Sequence, residues 1–125
     1  MKKSTGLFLS ALALGIAVLF VIQHAMAQDM AKVHKGTKVL LDNEQVRVLE
    51  VTLKPGEKTG MHSHPNHVIY AVKGGVSKAW SPDGKSTELE TKDGEARWMA
   101  ATTHDTENTG KGAVKVVVIE LKEKK

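Results

Sequence analysis

The chain has 125 residues, no cysteine, and 18 basic against 14 acidic side chains. That length suffices for one compact domain and excludes two large ones. Without a thiol there is no disulfide, no cysteine-ligated zinc, no iron–sulfur cluster and no lipid-modified N-terminal cysteine, so a metal must find other ligands.

The first 27 residues are a different kind of segment from the rest. Lys2 and Lys3 form a basic start, Leu7 to Ile22 run with Ser10 as the only polar interruption, and Ala25-Met26-Ala27 places small residues at alternate positions. This is the pattern of a secretory signal peptide, cleaved before Gln28 rather than kept as an anchor. The apolar run is shorter than the roughly 20 residues that span a bilayer comfortably. The reading predicts a periplasmic or secreted protein with no stable membrane insertion after cleavage. Its mature chain, Gln28 to Lys125, has 98 residues, and its formal charge falls from +4 to +2 with the loss of Lys2 and Lys3. Mixed, near-neutral charge without aromatic interleaving gives no footprint for a nucleic acid, and none is expected as a partner.

Residues 28–37 are polar and read as an N-terminal arm or a loose first strand, and 38–125 as a single β domain. From Val46 to Leu53, Leu49, Val51 and Leu53 share one face, and Lys54-Pro55-Gly56 closes the run with turn chemistry. Further short β segments are predicted at Val68 to Val72, Val76 to Trp80, Thr87 to Thr91, Ala96 to Ala100 and Ala113 to Leu121. Between them lie Gly74-Gly75, Ser81-Pro82-Asp83-Gly84, Lys92-Asp93-Gly94 and Thr109-Gly110-Lys111-Gly112. Strands recurring every 8 to 12 residues or so are the signature of an all-β sandwich or barrel. No helix of ordinary length is predicted after residue 28. The last strand is apolar on both faces, which predicts cover on both sides: a second copy in a homodimer, or a central place in a packed sheet.

Four of the six histidines fall in two short segments, Met61-His62-Ser63-His64-Pro65-Asn66-His67 and Thr103-His104-Asp105. On an extended strand His62 and His64 leave the same face and can share one ion at about 2.0–2.1 Å each. Pro65-Asn66 turns the chain so that His67 opens the next strand, with Ile69 and Ala71 facing inward beside it. His104, some 40 residues on, joins them only if a closed β topology brings it across. His34, in the polar N-terminal stretch, reads as structural. Asp105 and Glu107 alternate away from His104 on an extended segment, as outward groups or supports for the ligands. Tyr70 is expected on the opposite face from His67, as packing. Trp98 and Met99 are expected in the core or lining the mouth, and Arg97 either pairs a substrate carboxylate or lies on the surface.

These residues resemble the cupin superfamily. Its first motif runs glycine, five residues, His-x-His, three or four residues, glutamate, six residues, glycine. Here Gly56 is followed by five residues, His62-Ser63-His64, Pro65-Asn66, His67, six residues and Gly74. His67 holds the glutamate's place, and the gap before it is one residue short. The second motif runs glycine, five residues, Pro-x-Gly, two residues, histidine, three residues, asparagine. Gly94, Ala100-Ala101-Thr102, His104 and Asn108 follow it with the proline and glycine replaced by Ala100 and Thr102, and with one residue fewer before the histidine. Within the superfamily the chain looks like the short single-domain cupins associated with β-alanine degradation.

The resemblance implies a double-stranded β-helix, the jelly-roll cupin barrel, as a single domain that is commonly dimeric. It implies metal ligation by His62, His64 and His104, with His67 as a fourth candidate ligand. An all-histidine set favours Fe, Zn, Cu or Ni over Mg or Ca. A neutral donor set also leaves the ion more of its positive charge, and with it more Lewis acidity. The leading expectation is an exported, metal-dependent enzyme acting on a small anionic molecule, with dioxygenase-type oxidative cleavage as the reaction class; no catalytic side chain is assigned. The competing expectation is a noncatalytic cupin that binds or senses a metal or small ligand. A third is a dimeric scaffold with vestigial histidines.

Overall fold

The structure, a computed structural model, describes residues 28–124. The signal-peptide reading of residues 1–27 lies outside the described residues. No helix among the described residues is long and apolar enough to cross a membrane.

Alternation of apolar side chains dictates the strands. In β3 (Val46–Leu53) Leu49, Val51 and Leu53 point inward and are at most 5% exposed, while their neighbours face outward. Two five-stranded sheets result, and they close over a shared interior. The first takes the order β1 (Gln28–Asp29), β4 (His62–His64), β9 (Thr102–Asn108), β6 (Gly75–Trp80), β7 (Ser86–Thr91). The second runs β2 (Thr37–Asp42), β3, β10 (Val114–Leu121), β5 (His67–Lys73), β8 (Ala96–Met99). Consecutive strands repeatedly lie in opposite sheets, as in a jelly roll, and the all-β, single-domain barrel expected from the sequence is present.

The two apolar faces of the last strand meet different surroundings. β10 lies between β3 and β5, antiparallel to both. Val114 and Val118 turn into the buried interior, whereas Val117 and Ile119 lie beside Tyr70 and Val68 on the outer face. Glu120, at the same parity as Val118, is therefore carried inward, with Arg47 beside it on one neighbouring strand and His67 on the other.

Close backbone approach and buried amides fix the turns. At Gly74 a Cβ would sit 2.0 Å from the carbonyl oxygen of Thr91, so only glycine fits there. Asn108 is fully buried; its amide donates to the carbonyls of Leu53 and Gly112, and its Oδ1 accepts from Gly110. One side chain thus ties the end of β3 to the turn between β9 and β10, satisfying backbone groups that would otherwise be orphaned in the interior.

Residues 28–36 pack on the barrel. Asp29 caps a one-turn helix, α1 (Met30–Val33), by accepting from Ala31 N. Met30 joins the core with Leu49, Val51, Leu53 and Val118. His34 is buried, bonded to Thr37 Oγ1 at 2.9 Å and Glu57 Oε1 at 3.0 Å, a structural role that agrees with the sequence reading.

Candidate metal centre

The strand period and the register of two neighbouring strands assemble the histidine cluster. His62 and His64 point inward from β4, and β9 pairs with β4 so that His104 lies directly beside His62. The ligating nitrogens of His62, His64 and His104 all fall within 4.8 Å of one another. The closed topology thus brings His104 across some 40 residues of chain. His67, at the start of β5, lies against the same group, its ring centroid 4.6 Å from that of His64. The structure brings all four sequence-predicted candidates to one cavity.

Each ring is oriented from behind. Gly60 adopts φ +83°, a left-handed conformation that favours glycine, and the turn it makes offers its carbonyl to His62 Nδ1 at 2.7 Å. Asp105 Oδ1 holds that turn by accepting from Gly60 N at 3.0 Å and Thr59 Oγ1 at 3.3 Å. His67 Nδ1 donates to the Pro65 carbonyl at 2.7 Å, and His64 Nδ1 lies 3.1 Å from Glu120 Oε2. Carbonyls and a carboxylate only accept, so Nδ1 carries the proton on His62, His64 and His67, and Nε2 presents its lone pair.

His62 Nε2 is buried and without a hydrogen-bond partner among the described residues. A buried polar nitrogen left unpaired is costly, and three converging imidazole lone pairs supply no donor to one another. A divalent ion satisfies all of them at once, so the residues present fit a metal.

The electrostatics agree. Burial pushes the His62 imidazole down to about 4 and His104 down to about 3, and it lowers His67 as well. The His62, His67 and His104 rings therefore stay neutral and ligand-ready at physiological pH. In the unfolded chain the same groups titrate near 6.5. Their folded values are depressed, so the unfolded state binds more protons below that pH. Their contribution to stability is present above about 6.5 and is lost as pH falls towards 4. Metal-free protein is expected to show a melting temperature that drops steeply between pH 7 and pH 5, at up to about 1.4 kcal/mol per group per pH unit. A flat profile over that range in chelator-treated protein contradicts this environment.

Glu120 is the partner that the sequence reading missed. It is 2% exposed, and besides His64 it accepts from Arg47 Nε at 2.7 Å. Arg47 in turn grips Asp29 with both terminal nitrogens, at 2.5 and 2.9 Å. Burial by itself raises a carboxyl's pKa, but the bonds from His64 and Arg47 outweigh it and hold Glu120 below the usual range. Asp29 is lowered chiefly by its bond to Arg47. A continuous chain of charged hydrogen bonds thus runs from the N-terminal segment to the ring of a candidate ligand. The sequence carries part of the signal, since Glu120 has the parity of inward Val118 in a strand apolar from Val116 to Ile119, but not its partners.

The histidines open onto a cavity of about 120 Å³ walled largely by Met30, Val51, Leu53, Ile69, Val116 and Val118. None of its lining residues is charged. Met99 lines it as expected, but Trp98 does not. Strand alternation sends Trp98 to the outer face opposite Val68, where it is 57% exposed. Tyr70 also faces outward, as expected.

The family model described as a cupin domain matches residues 49–120. No curated protein matches the chain. Among solved structures, a cupin-domain protein of Bordetella pertussis Tohama I is 28% identical, with 70% of this chain and 92% of that one covered at a TM-score of 0.64. A protein of Bacillus halodurans is 20% identical, covering 77% and 76% at 0.57. An RmlC-like cupin with a double-stranded β-helix from Methanocaldococcus jannaschii is 16% identical, covering 69% and 78% at 0.55.

Proposed function

The chain belongs to the cupin family, and from that premise we propose that it is an exported, metal-dependent enzyme that oxidatively cleaves a small organic acid with dioxygen as co-substrate. The observation that carries this reading is the set of converging imidazole nitrogens, with His62 Nε2 buried and unpartnered, facing an apolar cavity. His62, His64 and His104 would hold the ion, with His67 beside them. A divalent Fe, Zn, Cu or Ni suits such donors, and a redox-active one supplies the oxygen chemistry.

The chain's own residues do the rest. His62, His64 and His104 would hold the ion at one end of a cavity whose apolar side chains would pack on the body of the substrate. The Nδ1 bonds to Gly60, Glu120 and Pro65 hold the rings in one tautomer, so the site need not reorganise when a ligand arrives. Export is supported by the basic start, apolar run and Ala-x-Ala ending of residues 1–27.

Oxygen uptake by iron-loaded mature protein tests the activity, with a panel of short carboxylic acids as substrates. The expected result is uptake that depends on the acid and falls at least about a hundredfold in His104→Ala. Stoichiometric iron with no uptake on any acid overturns the enzyme reading and leaves a binding module.

A further inference from the structure

The central cavity poses a problem of charge: it is apolar apart from its histidines and a few neutral polar groups, and it offers no cationic side chain to an acid. A second cavity, of about 320 Å³, adjoins it and shares Ala79, Leu89, Met99 and His104 with it. It lies where the edge strands of the two sheets, β7 and β8, leave the barrel open. Here the lining includes Arg97, with Lys85 at the rim.

Strand register decides where Arg97 points. On β8 it stands opposite Ile69, and Met99 stands opposite His67; both partners line the central cavity. Arg97 and Met99 therefore share the inward face, and Trp98 between them is turned out. Among the described residues only Nη2 of Arg97 finds partners, Glu95 Oε1 at 2.6 Å and, more distantly, the Glu90 carbonyl. Nε and Nη1 of this half-buried guanidinium have no partner among the described residues, so beside the Glu95 ion pair each keeps a charged N–H that can donate to a carboxylate oxygen.

Resting on the reading of the histidine cluster as a metal site, we propose that Arg97 is the anion-binding residue of a two-part ligand site. The ligand is a short organic acid whose carboxylate lies on Arg97 in the outer cavity. Its apolar body passes Met99 and Leu89, and its other end reaches the ion beside His104. The acid group is thereby kept off the metal, which leaves coordination positions for the reacting end. The arrangement selects acids with a compact hydrocarbon chain over neutral molecules of the same shape.

The test is calorimetric titration of metal-loaded protein with 4-methylpentanoate and with its uncharged counterpart, 4-methylpentanamide. The acid is expected to bind and the amide to bind at least about tenfold more weakly. Arg97→Ala should weaken the acid about ten- to hundredfold and leave the amide unchanged, and Arg97→Lys should restore part of the loss. Equal binding of the acid by wild type and Arg97→Ala, an amide as tight as the acid, or no binding of the acid overturns the proposal. Metal content of the same samples separates the failures. A wild type that holds no metal overturns the metal-site reading and the proposal with it; metal-loaded protein whose acid binding ignores Arg97 overturns the proposal alone.

Discussion

Replacing His62 with alanine is expected to remove the metal while leaving the barrel folded. Metal binding to a four-ligand protein site is worth about 10–16 kcal/mol, so one ligand carries roughly 3 kcal/mol, a hundredfold or more in affinity. His62 is fully buried, its Nδ1 is bound to Gly60 and its Nε2 has no other partner, so its loss falls directly on the ion, and His67 is the nearby ring that can offset part of it. The fold does not depend on it in the same way. The core formed by Leu49, Val51, Leu53 and Val118 lies on the opposite sheet, and the turn before His62 keeps its bonds to Asp105. Chelator competition reads the affinity and circular dichroism the fold. Unchanged metal affinity in His62→Ala excludes this nitrogen as a ligand.

The second large effect is expected at Glu120, which does not line the cavity itself but acts through His64. Glu120→Ala strips a buried carboxylate from between Arg47 and His64 and leaves the guanidinium with Asp29 alone. Breaking a buried ion pair by removing one partner costs about 3–5 kcal/mol. Loss of the group that orients a ligating imidazole costs about ten- to hundredfold in metal affinity. Glu120→Gln keeps the volume and one acceptor, so it is expected to recover most of the stability and less of the affinity. Urea unfolding and chelator competition on both variants separate the two roles. If affinity merely tracks stability across the pair, Glu120 is packing and does not position His64.

The strand at Val46 to Leu53 was legible from its one-sided pattern, and Leu49, Val51 and Leu53 lie inward as that alternation requires; the last strand was legible from its long β-branched run. The histidine cluster was legible for a related reason. A two-residue spacing fixes the face of His62 and His64, and the turn at Pro65-Asn66 returns His67 to it. What the sequence could not supply was lateral register. Glu120 matters because β10 sits between β3 and β5 and sets it against Arg47 and His67, contacts that span 73 and 53 residues of chain. Strand pairing over such distances depends on the whole topology and leaves no local trace. Trp98, expected in the core or lining the mouth together with Met99, faces outward because adjacent residues of a strand take opposite faces and Met99 takes the inner one. β2 escaped notice because its residues Val39, Leu40 and Leu41 form an apolar run with no alternation, and all three are about half exposed.

Anomalous diffraction from a crystal of the metal-loaded mature protein tests the central claim most directly. The account predicts a single strong peak inside the barrel, about 2.0–2.1 Å from Nε2 of His62, His64 and His104, and the distance to His67 decides between three and four histidine ligands. A peak elsewhere, or a barrel with no peak after loading, contradicts it.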